Sequence, residues 1–288
     1  DHRDLHAFPT RRSSDLRCHL WLPSGSIGAR VLSWGFMPLI AKGGLLSTPP
    51  KQLPNSNWPQ ALRGSAIAVY TMAEPATATS SLLDALARPH RKWIFSYNVS
   101  DLQFADGRAH IADVPFQPRF MVFTAGEGNA DLMRRAEVSG DLMQRRPLKM
   151  VLLRGVTLPL LFGHCVVRGK TQLTITTPSP GIWQVGGEIA EQLEHEENLD
   201  QERRKAMHEV QRCLPGVDFS DIEIAIYPAT RAEAKTAEQK RPSGVHVSRV
   251  TPRIVVGWPT KLSMAPILAE EVFSMVHAEL KQPADYEE

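Results

Sequence analysis

The chain has 288 residues, with 33 Lys and Arg against 31 Asp and Glu for a formal net charge of +2. Interspersed charges of both signs give no support for nucleic-acid binding, and no apolar run approaches the roughly 18–20 residues that span a bilayer. Cys18, Cys165 and Cys213 are odd in number, far apart and without a Cys-x-x-Cys, which suits inert core thiols in a reducing cytoplasm and argues against zinc.

In chain order, residues 17–64 are rich in Gly, Pro and Ser and show little periodicity. Ser80 to Ala87 puts Leu82, Leu83 and Leu86 on one helical face, with Ser80 or Ser81 as cap. Trp93–Asn98 and Ala109–Val114 alternate about Asp106-Gly107 and predict a β-meander. Phe120–Thr124 reads as a buried strand. Leu148–Arg154, Cys165–Arg168, Gln172–Thr177 and Ile182–Val185 add strands of a mixed or antiparallel sheet.

Glu188 to Leu214 reads as helical. Glu188, Glu191, Glu194, Glu196 and Glu197 precede Arg203, Arg204 and Lys205, an order that complements helix dipoles and marks a solvated face rather than a metal site. His195 and His208 lack the spacing of a metal-binding helix. Pro215-Gly216 ends the region, and Ile222–Tyr227 alternates as a strand with one wet face.

Two turns carry the functional signal. Ala125-Gly126-Glu127-Gly128-Asn129 follows the Phe120 strand and opens a helix, and its glycines allow close approach of backbone to a ligand. Near the C-terminus, Ile254–Val256 reads as a strand that ends in Gly257-Trp258-Pro259-Thr260-Lys261-Leu262-Ser263. Ser263 is the expected N-cap of a helix carrying Pro266 in its first turn and Ile267, Leu268, Val272, Phe273 and Val276 at helical spacing to about residue 281. Amides at such a start, with Lys261 beside them, favour negative charge or a polarised oxygen; an ordinary surface helix start is the competing reading.

The chain resembles the FAD-dependent oxidoreductases of the D-amino-acid oxidase and glycerol-3-phosphate dehydrogenase superfamily. The resemblance rests, in order, on Asn57-Trp58-Pro59, Glu74-Pro75, the Thr124–Asn129 turn, Met143-Gln144-Arg145-Arg146-Pro147-Leu148, Phe162-Gly163-His164-Cys165, Leu173–Thr176, Trp183-Gln184-Val185-Gly186-Gly187 and Pro259-Thr260-Lys261. It implies an α/β protein, α+β in its substrate lobe, in which an incomplete Rossmann-like FAD-binding domain accompanies a substrate domain with a mixed or antiparallel sheet. The Gly-x-Gly-x-x-Gly turn with which these enzymes begin is missing from the sequence. Residues 1–16 read as an artefactual leader, the translation of a sequencing adapter, or else as a polar arm.

The expected organisation is therefore a leader over 1–16, an orphaned linker and helical segment over 17–92, FAD-binding residues 93–142, a substrate domain over 143–256 and a C-terminal FAD-binding segment from 257 to 288. The resemblance implies FAD as cofactor and a small amine or hydroxyl compound as substrate. It nominates Ala125, Gly126, Gly128, Gly257, Thr260, Lys261, Leu262 and Ser263 for the cofactor. Tyr227 and Arg231 are nominated for the substrate, although Arg231-Ala232-Glu233-Ala234-Lys235 also reads as an exposed polar loop. His164 and Lys261 are the catalytic candidates, with a partly buried structural histidine as the competing role for His164. The alternative for the whole chain is a non-catalytic remnant or binding module that no longer holds FAD.

Overall fold

The computed structural model describes residues 17–24, 49–105, 108–112, 114–196 and 198–281. The expected leader, the middle of the Gly/Pro-rich segment, the Asp106-Gly107 turn and Glu197 lie outside the described residues. The chain is α/β and divides into two compact units, residues 1–88 with 147–229 and residues 89–146 with 230–288. The 230–256 stretch, expected with the substrate domain, thus groups with the C-terminal segment.

The first unit is built on an eight-stranded mixed sheet of β1 (Arg17–Pro23), β2 (Lys51–Gln52), β3 (Ala66–Pro75), β8 (Met143–Arg154), β9 (Gly163–Val167), β10 (Lys170–Ser179), β11 (Ile182–Gly186) and β12 (Glu223–Ala234). Its order is β12-β8-β11-β10-β9-β1-β3-β2. β1 runs parallel to β9, while β9, β10 and β11 pair antiparallel in succession. Strand alternation sends Trp21, Val69, Cys165, Leu173, Ile175 and Trp183 into one large core. Leu20, Ala68, Tyr70, Met72 and Val166 form a smaller cluster. Gly163 is required where β9 meets β1: a Cβ there would lie 2.1 Å from the His19 carbonyl oxygen.

Among the described residues, three helices belong to this unit: α1 (Thr79–Ala87), α3 (Glu188–Gln192) and α4 (Leu199–Cys213). The α1 helix forms as its leucine spacing predicts, but no serine caps it and Leu83 and Leu86 stay exposed. In α4, Asn198 is the cap, its Oδ1 accepting from the Asp200 amide at 2.8 Å. Glu202, Ala206, Val210 and Cys213 recur on the buried face. Glu202 is not among the five acids of the expected solvated face. It is buried and takes a 2.8 Å ion pair from Lys149 of β8, whereas Glu196 pairs with Lys205 and Glu209 with Arg212. Among the described residues no His, Cys, Asp or Glu cluster could hold a metal, and no helix is long and apolar enough to cross a membrane.

The second unit contains the antiparallel meander β4 (Leu102–Ala105), β5 (Arg108–Ile111) and β6 (Val114–Phe116). Its first strand begins at Leu102, not Trp93: Trp93 closes a 3-10 turn, and Trp93 and Phe95 are exposed. A second sheet has the order β13 (His246–Thr251), β14 (Ile254–Trp258), β7 (Met121–Phe123). β14 is buried at every residue, as expected of a β-branched strand between neighbours, and runs parallel to β7. β7 itself is only partly buried, with Val122 exposed. Helices α2 (Asn129–Arg135) and α5 (Ala265–Leu280) follow these two strands. Phe123, Met133, Val256 and Trp258 are among the residues that fill this unit's core.

Candidate functional site

In the second unit, the two turns singled out in the sequence end adjacent parallel strands. Val256 of β14 is the register partner of Phe123 of β7, so the chain leaves both strands from the same end. Asn129, fully buried, ties the turns together. Its Oδ1 accepts from the Ala125 amide at 2.7 Å and its Nδ2 donates to the Gly257 carbonyl at 3.2 Å. Trp258, also fully buried, adds a bond from Nε1 to the Gly126 carbonyl at 3.1 Å. Ala125, Gly126, Gly128 and Gly257 are thus brought into one cluster.

Gly126 adopts φ +61°, where a side chain is strained, and an added Cβ would meet nothing within 4 Å. The backbone here borders open space. Glu127, between the glycines, pairs with Arg145 at 2.9 Å. Thr260 also has positive φ, +62°, a rare conformation for a β-branched residue, held by a 2.6 Å bond from its hydroxyl to the Gly244 carbonyl. Strain of this kind persists where surrounding structure enforces it and clusters at functional sites.

The expected cap at Ser263 is corrected. Leu262–Met264 form a 3-10 turn whose cap residue is Lys261, and α5 begins at Ala265 with Pro266 in its first turn. Ser263 therefore sits inside a turn whose cap residue, Lys261, makes no side-chain cap bond. Lys261, Leu262 and Ser263 are exposed.

In the first unit, His164 and Tyr227 share a sheet face. His164 of β9 pairs in register with Thr174 of β10, and its Nδ1 lies 2.9 Å from Thr174 Oγ1. Two strands further on, Gln184 Nε2 donates to the Tyr227 hydroxyl at 2.8 Å. Strand alternation puts His164, Thr174 and Gln184 on the side away from Cys165, Leu173, Trp183 and the main core. Tyr227 follows Ile224 and Ile226, which pack on that core, and takes the same outward side through its bond to Gln184. The four partly buried side chains make a polar row. Arg231 lies four residues beyond Tyr227 in β12, half-buried in a strand, so the exposed-loop reading of it is corrected. Thr174 and Gln184, which the sequence did not nominate, enter this row from the Leu173–Thr176 and Trp183–Gly187 segments through their bonds to His164 and Tyr227.

Cys165 and Cys213, far apart in sequence, meet in the large core. Burial pushes the Cys165 thiol pKa up, and the neighbouring Cys213 adds to the shift, so the thiolate is suppressed and inertness follows.

No protein-family model matches the chain. The probable FAD-dependent oxidoreductase PA4991 of Pseudomonas aeruginosa is 32% identical over 171 residues, 58% of this chain and 44% of that protein. The match therefore spans less than half of that relative. Its crystal structure superposes with a TM-score of 0.76 at 24% identity, covering 98% of this chain and 72% of the other. Iminodiacetate oxidase from Chelativorans sp. BNC1 has a TM-score of 0.59 at 14% identity over 94% of this chain and 73% of its own. Glycine oxidase from Geobacillus kaustophilus has a TM-score of 0.58 at 15% identity over 94% and 72%. These last two share the fold alone. Over 171 residues the chain is thus similar in sequence to a probable FAD-dependent oxidoreductase, and it shares that protein's α/β fold.

Proposed function

We propose that this chain is part of an FAD-dependent oxidoreductase that removes hydride from the carbon bearing a small amine or hydroxyl group. The observation that carries the reading is the pair of strand–turn–helix ends locked side by side by Asn129, with Thr260 strained and Lys261 exposed next to them. The residues present fit the cofactor as a donor set: open space faces Gly126, and a lysine stands at the start of a turn whose first amides have no acceptor within it. When bound, FAD would supply the hydride acceptor.

The remaining tasks fall to side chains. Lys261 with the Leu262 and Ser263 amides would hold the negative charge that develops during the reaction, while Ala125, Gly126, Gly128, Gly257 and Thr260 would shape the cofactor contact. Tyr227, oriented by Gln184, would position the substrate, and the guanidinium fork of Arg231 suits a carboxylate. His164, whose Nδ1 lies against Thr174 Oγ1, is the candidate for moving a substrate proton. Two structures with this fold are named as oxidases of iminodiacetate and glycine, which supports a small amine substrate.

The test is rapid mixing of the flavin-loaded enzyme with small amines and hydroxy acids. Bleaching of the oxidised flavin is expected, and Lys261→Met should slow it by roughly ten- to a thousandfold at saturating substrate, the scale of one preorganised electrostatic partner. Failure to take up flavin, or an unchanged rate in Lys261→Met, refutes the assignment.

A further inference from the structure

We infer that the first unit carries a second binding site, for a small carboxylate with an aromatic or branched apolar body, in a cavity on the sheet face opposite the His164–Tyr227 row. The cavity measures ≈ 590 Å³, within the range of small-molecule sites. His19 of β1 and Thr71 of β3, which line it, are cross-strand partners, as are Trp21 and Val69 one step along. Trp21 and Val69 belong to the large core. Leu20 and Tyr70, between them, point the other way into the smaller cluster, and Leu20 is the register partner of His164. Alternation therefore puts the cavity and the polar row on opposite faces.

Three features define what the cavity would hold. Thr71 Oγ1 is shielded from solvent and is the only buried side-chain polar atom among the described residues without a hydrogen-bond partner. Such an atom calls for an explanation, and a ligand acceptor or donor at this position supplies one. Arg17 is the only charged residue, and so the only ionic group, among the described residues lining the cavity. His19, whose pKa burial pushes below its ordinary value, adds a neutral ring at neutral pH, with Nδ1 3.4 Å from the Phe162 carbonyl. Leu53, Trp58 and Phe162 contribute apolar wall. One cation, one hydroxyl and an apolar wall select an anion with a hydrophobic body, which a guanidinium recognises by charge-assisted hydrogen bonds.

The experiment is calorimetric titration of the full chain with phenylacetate and with its neutral analogue phenylacetamide. Phenylacetate should bind one-to-one in the millimolar range or tighter, and phenylacetamide about tenfold or more weaker, the scale of a charge-assisted hydrogen bond. Arg17→Gln, at an exposed position, should cost the same factor. Thr71→Val should weaken phenylacetate about fivefold while leaving the melting temperature unchanged or higher, because it removes an unpartnered hydroxyl; a purely structural threonine would not separate the two readouts. Tyr227→Phe, on the other face, should leave binding as it is. No binding at about 20 mM, equal binding of the amide, or affinity insensitive to both Arg17→Gln and Thr71→Val overturns the inference. Weakening by Tyr227→Phe equal to that by Thr71→Val also overturns it, by moving the ligand to the opposite face.

Discussion

Replacing Asn129 with alanine should loosen the end of the second unit's sheet where the two turns meet. The side chain makes two hydrogen bonds, one of 2.7 Å from the Ala125 amide and one of 3.2 Å to the Gly257 carbonyl, and the residue is fully buried. Each net bond contributes about 1 kcal/mol. Ala125 is exposed, so water can re-solvate its amide, whereas Gly257 is buried, which adds part of a desolvation penalty. The expected loss is about 2–3 kcal/mol. Native-state amide hydrogen exchange at Val255 and Val256 reads it locally, as exchange roughly thirty- to a hundred-and-sixtyfold faster. Under the proposed function FAD affinity should fall in parallel, because Gly126 and Gly257 would lose their fixed separation. Exchange at β14 unchanged within about 0.5 kcal/mol would refute the idea that Asn129 holds the turns together.

Glu233, buried and bonded through both carboxylate oxygens to Arg146, should cost about 3–5 kcal/mol when replaced by alanine, because Arg146 would keep a partly buried charge; Arg146→Met with Glu233→Leu should recover much of that in urea unfolding. A thiol reagent added to the native protein should modify Cys18, which is partly exposed, and spare Cys165 and Cys213 until denaturant is present; prompt labelling of all three would contradict their burial. The lowered pKa of His19 means that the unfolded chain binds its proton first. Its contribution to stability should be complete above the unfolded value near 6.5 and lost progressively as pH falls from there through the folded pKa. His19→Asn should flatten the stability–pH profile in that window, and an identical slope in the variant would remove His19 as its source.

Short-range patterns were legible in the sequence wherever one local period prevails. The β-branched run at Ile254–Val256, the alternation at Gln172–Thr177 and the helical spacing after Pro266 all form as read, because each is set by side-chain geometry within a few residues. The glycine turn at Gly126 was likewise visible, since its positive φ is a local backbone property, whereas β14 runs two residues past the expected stop and takes in Gly257 and Trp258. Periodicity misled where burial did not follow it. Trp93–Asn98 has the composition of a strand but no described partner strand, and the burial of Glu202 against Lys149 from β8 had no signal in the local pattern.

Only the tertiary structure decided which distant residues meet. Parallel pairing of β7 with β14 puts Asn129 against Gly257 across more than a hundred residues. The strand order that places β11 between β10 and β8, with β12 at the edge, aligns His164, Thr174, Gln184 and Tyr227 on one face. The same register puts Thr71 beside His19 on the other. Sequence specifies the residue types and their local directions, whereas neighbours across a sheet depend on register, which is set by the burial of whole strand faces at once.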